Sequence, residues 1–289
     1  METINQQLNV LFEKWKDERK YDSAFFVSDG LVYKYNAAWA LENESDTIVG
    51  SIADVFVDEL WKASPLRVAF LLKDTPDHWS DDIRQWLLLE TPDGEHSRAL
   101  SGGRVGKTGL LPNMARILYG LRYIKQLKYA DFEDFKCKYK NQIVEAWNTL
   151  PFAFVETKKI AGKPSVSETE IKQYIDTDGH LLKEELDILQ PNVIICTCAD
   201  PQFKFITEEY LANEDINEED KIMYRYPDAE FVECCLWYYR KKGVIVIKSY
   251  HPTYRGKIPW TIFERVISPM RALLKKYPDL KLSEYKKLK

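Results

Sequence analysis

NVIICTCAD, residues 192–200, is an unbroken apolar run that ends on small and acidic residues. Four to five consecutive apolar residues, rather than an alternation of apolar and polar ones, mark a strand buried on both faces. Three other stretches share the pattern: RVAFLLKD (67–74), PFAFVETKK (151–159) and GVIVIKSYHP (243–252). A sheet buried on both faces is mostly parallel and needs crossover helices between its strands.

Helical patterns fill the intervals. Residues 80–90, 113–147 in two pieces, 167–189 in two pieces, 228–241 and 260–276 carry apolar residues at helical spacing. Ser167 followed by Glu170 makes a capping box, Pro259 suits a first helical turn and Pro269 interrupts the last helix. This alternation predicts an α/β fold: a three-layer αβα sandwich around a central four-stranded, mainly parallel sheet, spanning residues 66–289. Residues 1–65 read as an amino-terminal elaboration, a polar amphipathic helix and then a hairpin. Ser28, Asp29 and Gly30 separate its two aromatic-rich runs.

Composition excludes several classes. The 289 residues are 45% hydrophobic and 30% charged, with no apolar run near the ~18 residues of a membrane span. The first twenty residues lack the apolar core and small-residue cleavage site of a secretory signal, so a cytoplasmic location is expected. The five cysteines, Cys137, Cys196, Cys198, Cys234 and Cys235, include no C-x-x-C, which argues against a disulfide framework, a zinc ribbon or a metal cluster. No cofactor is expected. A net charge of −4 gives no global attraction to nucleic acid and leaves only local basic surface for that purpose.

Ligands of open α/β sheets bind at the carboxyl ends of the strands. Those ends carry Lys73, Asp74 and Thr75, then Glu156, Lys158 and Lys159, then Asp200, and finally His251. Carboxylates, lysines and a histidine therefore share one rim. Elsewhere, Gly106, Lys107 and Thr108 spell the end of a phosphate-binding loop. A full motif needs glycine at the position of Ser101, a strand before and a helix directly after. TPDGEHSRAL precedes it and Pro112 follows closely, so a basic loop is the better reading and a P-loop NTPase the weaker one.

The order of these ends resembles the uracil-DNA glycosylase superfamily. The shared features are LLKDTPDHW after the first strand, E-T-K-K-x-x-G after the second, LDILQPNVIIC leading into the third, and SYHPTYR after the fourth. The resemblance spans residues 67 to about 265. It implies an αβα sandwich and makes Asp74, ahead of Thr75 and Pro76, the water-positioning carboxylate; Lys73 stands where the family has glycine. Glu156 falls at the place of the family's base-reading asparagine. An ionised glutamate only accepts hydrogen bonds, so it suits an exocyclic amine or N–H donor. His251 and Pro252 match the last motif, and Tyr254 or Arg255 then becomes the minor-groove wedge. Trp79 is the nearest aromatic for stacking an extruded base, and Lys159 joins the substrate-binding set. The iron–sulfur branch of the family needs four cysteines that this chain lacks.

Breaking an N-glycosidic bond puts positive charge on the sugar and negative charge on the departing base. Asp74 near the sugar and His251 near a base oxygen match those two needs. The expected function is hydrolysis of the N-glycosidic bond of a damaged or deaminated base in DNA. The alternative is a catalytically silent relative that binds a nucleotide or nucleic acid, for which the acidic balance and Glu156 speak.

Overall fold

The computed structural model describes residues 2–32, 52–73, 81–86, 109–162, 166–197, 199–224, 233–254 and 262–280. Among these, the chain runs α1 (Ile4–Arg19), β1 (Val27–Ser28), β2 (Gly30–Val32), α2 (Ile52–Ala63), β3 (Val68–Leu72), β4 (Asp81–Asp82) and α3 (Ile83–Trp86). It continues through α4 (Leu110–Arg122), α5 (Phe132–Lys138), α6 (Lys140–Thr149), β5 (Phe152–Glu156), α7 (Glu168–Leu189) and β6 (Val193–Cys196). Then come α8 (Ala199–Lys204), which runs on as a π-helical turn over Phe205–Tyr210, β7 (Lys221–Tyr224), β8 (Glu233–Tyr239), β9 (Val244–Lys248) and α9 (Ile262–Lys276).

The central sheet is mixed and has seven strands in the order β2-β5-β3-β6-β9-β8-β7, rather than the expected four. The four expected strands are its contiguous parallel centre, β5-β3-β6-β9. In order of sequence they lie 2-1-3-4. Antiparallel strands extend both edges, β2 beside β5 and the β7–β8 pair beside β9. Successive residues of β3 feed opposite cores. Val68, Phe70 and Leu72 pack with α4, α5, α6 and α9, while Ala69 and Leu71 pack with α1, α2, α7 and α8. Helices therefore cover both faces, which is why the central strands are apolar throughout.

Several helical and turn expectations are corrected. Within 228–241 the described residues 233–239 form strand β8, not a helix. Leu236 and Tyr238 join one core while Trp237 and Tyr239 pack against the other, a period of two that large aromatic side chains favour. Gly243, at φ +69°, turns the chain directly into β9. The 167–189 region is one 22-residue helix with the expected Ser167–Glu170 capping box, not two pieces. Gly179 sits mid-helix because a Cβ there would lie 3.1 Å from the Phe205 ring; it permits close packing rather than a break. The 113–147 region holds three helices instead of two, and Pro112 lies in the first turn of α4, where a missing N–H leaves no helical acceptor unsatisfied. Of 80–90, residues 81–82 bridge to β1 and only Ile83–Trp86 are helical among the described residues.

The expected hairpin around Ser28-Asp29-Gly30 is absent among the described residues. β1 pairs in parallel with β4, and β2 pairs with β5. Gly30, at φ +138°, lets the backbone press against α1, where a Cβ would lie 2.5 Å from Leu8. The amino-terminal segment thus supplies an edge strand to the central sheet and, in α1, a helix packed on α7. Among the described residues, no helix is long and apolar enough to cross a membrane, and no group of three or more His, Cys, Asp or Glu side chains is placed to hold a metal ion.

Candidate functional site

The strand order places a topological switch point between β3 and β6. The chain leaves β3 for β5 on one side and returns from β5 to β6 on the other, and in open α/β sheets the carboxyl ends beside such a point are where ligands bind. Buried hydroxyls and amides fix this rim. The Leu72 carbonyl, last in β3, accepts from the Thr157 amide at 3.0 Å, the Thr157 hydroxyl at 2.7 Å and the Gln202 side-chain amide at 2.6 Å. Gln202 also donates to the Thr157 hydroxyl, and the Thr197 hydroxyl donates to the Leu71 carbonyl at 2.9 Å. Lys73 follows this anchored point and is half-buried.

His251 follows β9. Its Nδ1 receives the Thr253 backbone N–H at 3.3 Å and lies 2.7 Å from the Thr253 hydroxyl. A backbone amide can only donate, so Nδ1 is an acceptor and the neutral ring carries its proton on Nε2. Desolvation by burial, with help from the Lys73 charge, pushes the imidazole down to about 4. At neutral pH the ring is therefore uncharged and offers one N–H. The backbone of its turn is held in two places. The Tyr254 amide donates to the His251 carbonyl at 2.8 Å, and the Asn113 side chain on α4 donates to the Pro252 carbonyl at 2.5 Å. Arg116, fully buried one turn along α4, donates to the Asn113 side-chain oxygen at 2.7 Å.

Glu156 is the last residue of β5 and only 2% exposed. β5 and β9 flank β3 and β6, so Glu156 and His251 stand at opposite ends of the four-strand rim, with two strands between the strands that carry them. Lys158 is buried with its ammonium 5.7 Å from the Tyr174 ring. Asp200 is exposed and paired with Lys248 at 2.5 Å. Asp74, Thr75, Pro76, Trp79, Arg255 and the Gly106–Lys107–Thr108 sequence lie outside the described residues.

Lys159 is placed differently from the substrate-facing position expected of it. It is 0% exposed, and its ammonium donates to Asp29 at 2.7 and 2.8 Å and to Glu185 at 2.9 Å. The rings of Phe12 and Trp15 close over it at 5.2 and 5.4 Å. Asp29 also accepts the Glu156 amide at 2.6 Å. An ammonium enclosed this way joins α1, β2, β5 and α7, and no ligand reaches it. Two carboxylates share one cation here, and burial beside Asp29 holds the Glu185 carboxyl well above the usual range.

Sequence reasoning missed Thr157, Thr197, Gln202, Asn113 and Thr253, which hold the strand ends and the histidine turn. A threonine within two residues of an apolar run was the available signal at 157 and 197; Gln202 and Asn113 lie on helices and carry none. No protein-family model matches the chain, and no curated protein matches it either.

Proposed function

We propose that the crevice at the carboxyl ends of β3, β6 and β9 hydrolyses the N-glycosidic bond of a damaged or deaminated base in DNA, as in the uracil-DNA glycosylase superfamily that the chain resembles. The observation that carries this reading is His251: a neutral imidazole whose Nδ1 is occupied by Thr253 and whose Nε2–H remains to donate. A base that leaves with the bonding electron pair becomes an anion, and a fixed neutral donor binds that anion more tightly than the intact base. With its proton affinity this low, the ring works as a hydrogen-bond donor and not as a general acid.

The remaining steps balance as follows. The C1′–N bond breaks toward the base, water adds to C1′, and the carboxylate of Asp74, in the role the resemblance assigns it, orients that water and stabilises the positive sugar. The proton released from water reaches solvent, and the base anion takes up a proton after departure.

The test is incubation with oligonucleotides carrying uracil, hypoxanthine, xanthine or an alkylated base, followed by alkaline cleavage at abasic sites. Strand scission at one of these bases is expected; intact strands with all of them would overturn the reading. The acidic balance and a glutamate at the place of the family's base-reading asparagine support a second reading, a silent relative that binds a nucleotide without cleaving it. Binding through DNA phosphates weakens steeply with salt, whereas binding of a small nucleotide in a pocket changes less, and that contrast separates the two.

A further inference from the structure

Three side chains beside the crevice form a graded stack. The Tyr254 ring lies on the Tyr250 ring, with centroids 4.6 Å apart and planes 17° from parallel. The Arg265 guanidinium sits 4.0 Å from the Tyr250 centroid, and since Tyr254 occupies one face of that ring, the guanidinium takes the other. Arg265 is 2% exposed, while Tyr254, at the outer end, is 45% exposed. Tyr254 thus keeps much of its surface accessible at the outer end of the stack.

Such a stack could simply staple the turn, but its outer ring has the properties of a binding surface. The Tyr254 backbone N–H donates to the His251 carbonyl, the intervening Pro252 carbonyl accepts from Asn113, and the ring itself is held against Tyr250. A ring fixed before binding loses little freedom when a flat partner lands on it. The hydrogen bond from residue 254 to residue 251 closes a turn whose Cα atoms are under about 7 Å apart, so Tyr254 and His251 project from one short turn. A flat heteroaromatic ring matches an aromatic face backed by a second ring and a cation.

We propose that the outer face of Tyr254 is a stacking platform for an unpaired nucleobase, which sets the protein's preference for single-stranded or locally opened nucleic acid. This rests on the reading of the adjacent crevice as a nucleic-acid site. It departs from the wedge role expected for Tyr254, because a ring already stacked on Tyr250 is committed to receiving a base rather than to pushing between two. Bases in an intact duplex have both faces covered, so the platform serves bases that have left the stack.

The experiment measures binding of the full chain to oligonucleotides containing 2-aminopurine, whose fluorescence falls when it stacks, across a series of salt concentrations. Wild type, Tyr254→Phe and Tyr254→Ala are compared on single-stranded and duplex forms. Tyr254→Ala is expected to weaken single-strand binding about 5- to 100-fold with the salt slope unchanged, because stacking releases no counterions. Tyr254→Phe keeps the ring and should stay within about threefold of wild type by the same reasoning. Unaltered single-strand affinity in Tyr254→Ala, or a loss that comes with a shallower salt slope, overturns the platform, as does a wild type that binds no single strand. Fluorescence quenching without any base excision would sink the hydrolase reading and leave the platform standing. Excision that persists with unchanged binding in Tyr254→Ala would do the reverse.

Discussion

Thr253 holds the Nδ1 of His251 from two sides, with its hydroxyl at 2.7 Å and its backbone N–H at 3.3 Å. The tautomer follows from that pairing, and with it the direction in which the imidazole can donate. If the crevice excises a base, His251→Ala and Asp74→Asn should each slow the single-turnover rate by about 10²–10³ while DNA affinity stays close to wild type. Both groups act on charge that develops only during bond breaking. Lys107→Ala should leave the rate near wild type. A protein that depends on Lys107 and tolerates loss of Asp74 and His251 would point to the NTPase alternative instead.

The His251 ring should titrate near 4, followed by the NMR signal of its Cε1 proton, and Lys73→Met should raise that value by removing a neighbouring positive charge. Burial, the larger cause, remains, so the variant should still titrate below the ordinary 6.5. The stability consequence has a definite sign. Between pH 6.5 and about 4 the unfolded chain takes up a proton that the folded ring resists, so stability falls as pH drops through this window. His251→Gln removes that part of the slope, measurable by urea unfolding at pH 7 and pH 5. An unchanged slope in the variant would mean the imidazole is not desolvated.

Removing the enclosed cation of the Asp29–Lys159–Glu185 group leaves two buried carboxylates facing each other. Lys159→Met should therefore cost about 3–5 kcal/mol of unfolding free energy. Glu185→Gln keeps an oxygen to accept from the Lys159 ammonium and removes one of the two competing charges. Because the folded carboxyl is held above its ordinary 4.5 while the unfolded one is not, wild-type stability declines as pH rises from 4.5 through the folded value. The Gln variant should lose that decline and equal or exceed wild type above it. Denaturant titrations across pH 4–9 check both; a Glu185→Gln protein as unstable as Lys159→Met would contradict the charge count.

Gly120 on α4 is packed so closely against α9 that a Cβ would lie 2.5 Å from the Phe263 ring and 2.8 Å from Ile267. Helix propensity alone would make Gly120→Ala about 1 kcal/mol stabilising. The overlap should reverse that sign and destabilise the protein by about 1–3 kcal/mol. A higher melting temperature for the variant would show that the two helices can separate without penalty.

The strands that build the rim were legible because each carries its own burial in its residues. VAFLL, FAFVE, VIIC and VIVIK are apolar without alternation, and such a run fits only a strand with cores on both faces. ECCLWYY was not legible in the same way. A short run of cysteines and aromatics suits a buried helix or a strand equally, and the turn at Gly243 that pairs it with β9 becomes visible only in three dimensions. The continuity of α7 through Gly179 was hidden for a related reason: the ring that packs on that glycine belongs to Phe205, twenty-six residues away.

By itself, then, the order of residues determined the four central strands, the capping of α7 and the placing of Glu156 and His251 at strand ends, since each depends on neighbours within a few positions. The tertiary structure alone decided the strand order, the seven-strand width of the sheet and the fate of the two adjacent lysines. Lys158 and Lys159 are indistinguishable as letters in ETKK. Asp29 and Glu185, which meet Lys159 from a turn 130 residues earlier and a helix 26 residues later, lock its ammonium into the core. Charge pairing of that kind is long-range in sequence and short-range in space, so no local pattern encodes it. The same holds for His251, whose position the chain spells out in His-Pro but whose neutral, Nε2-protonated form arises from desolvation and from Thr253 folding back onto it.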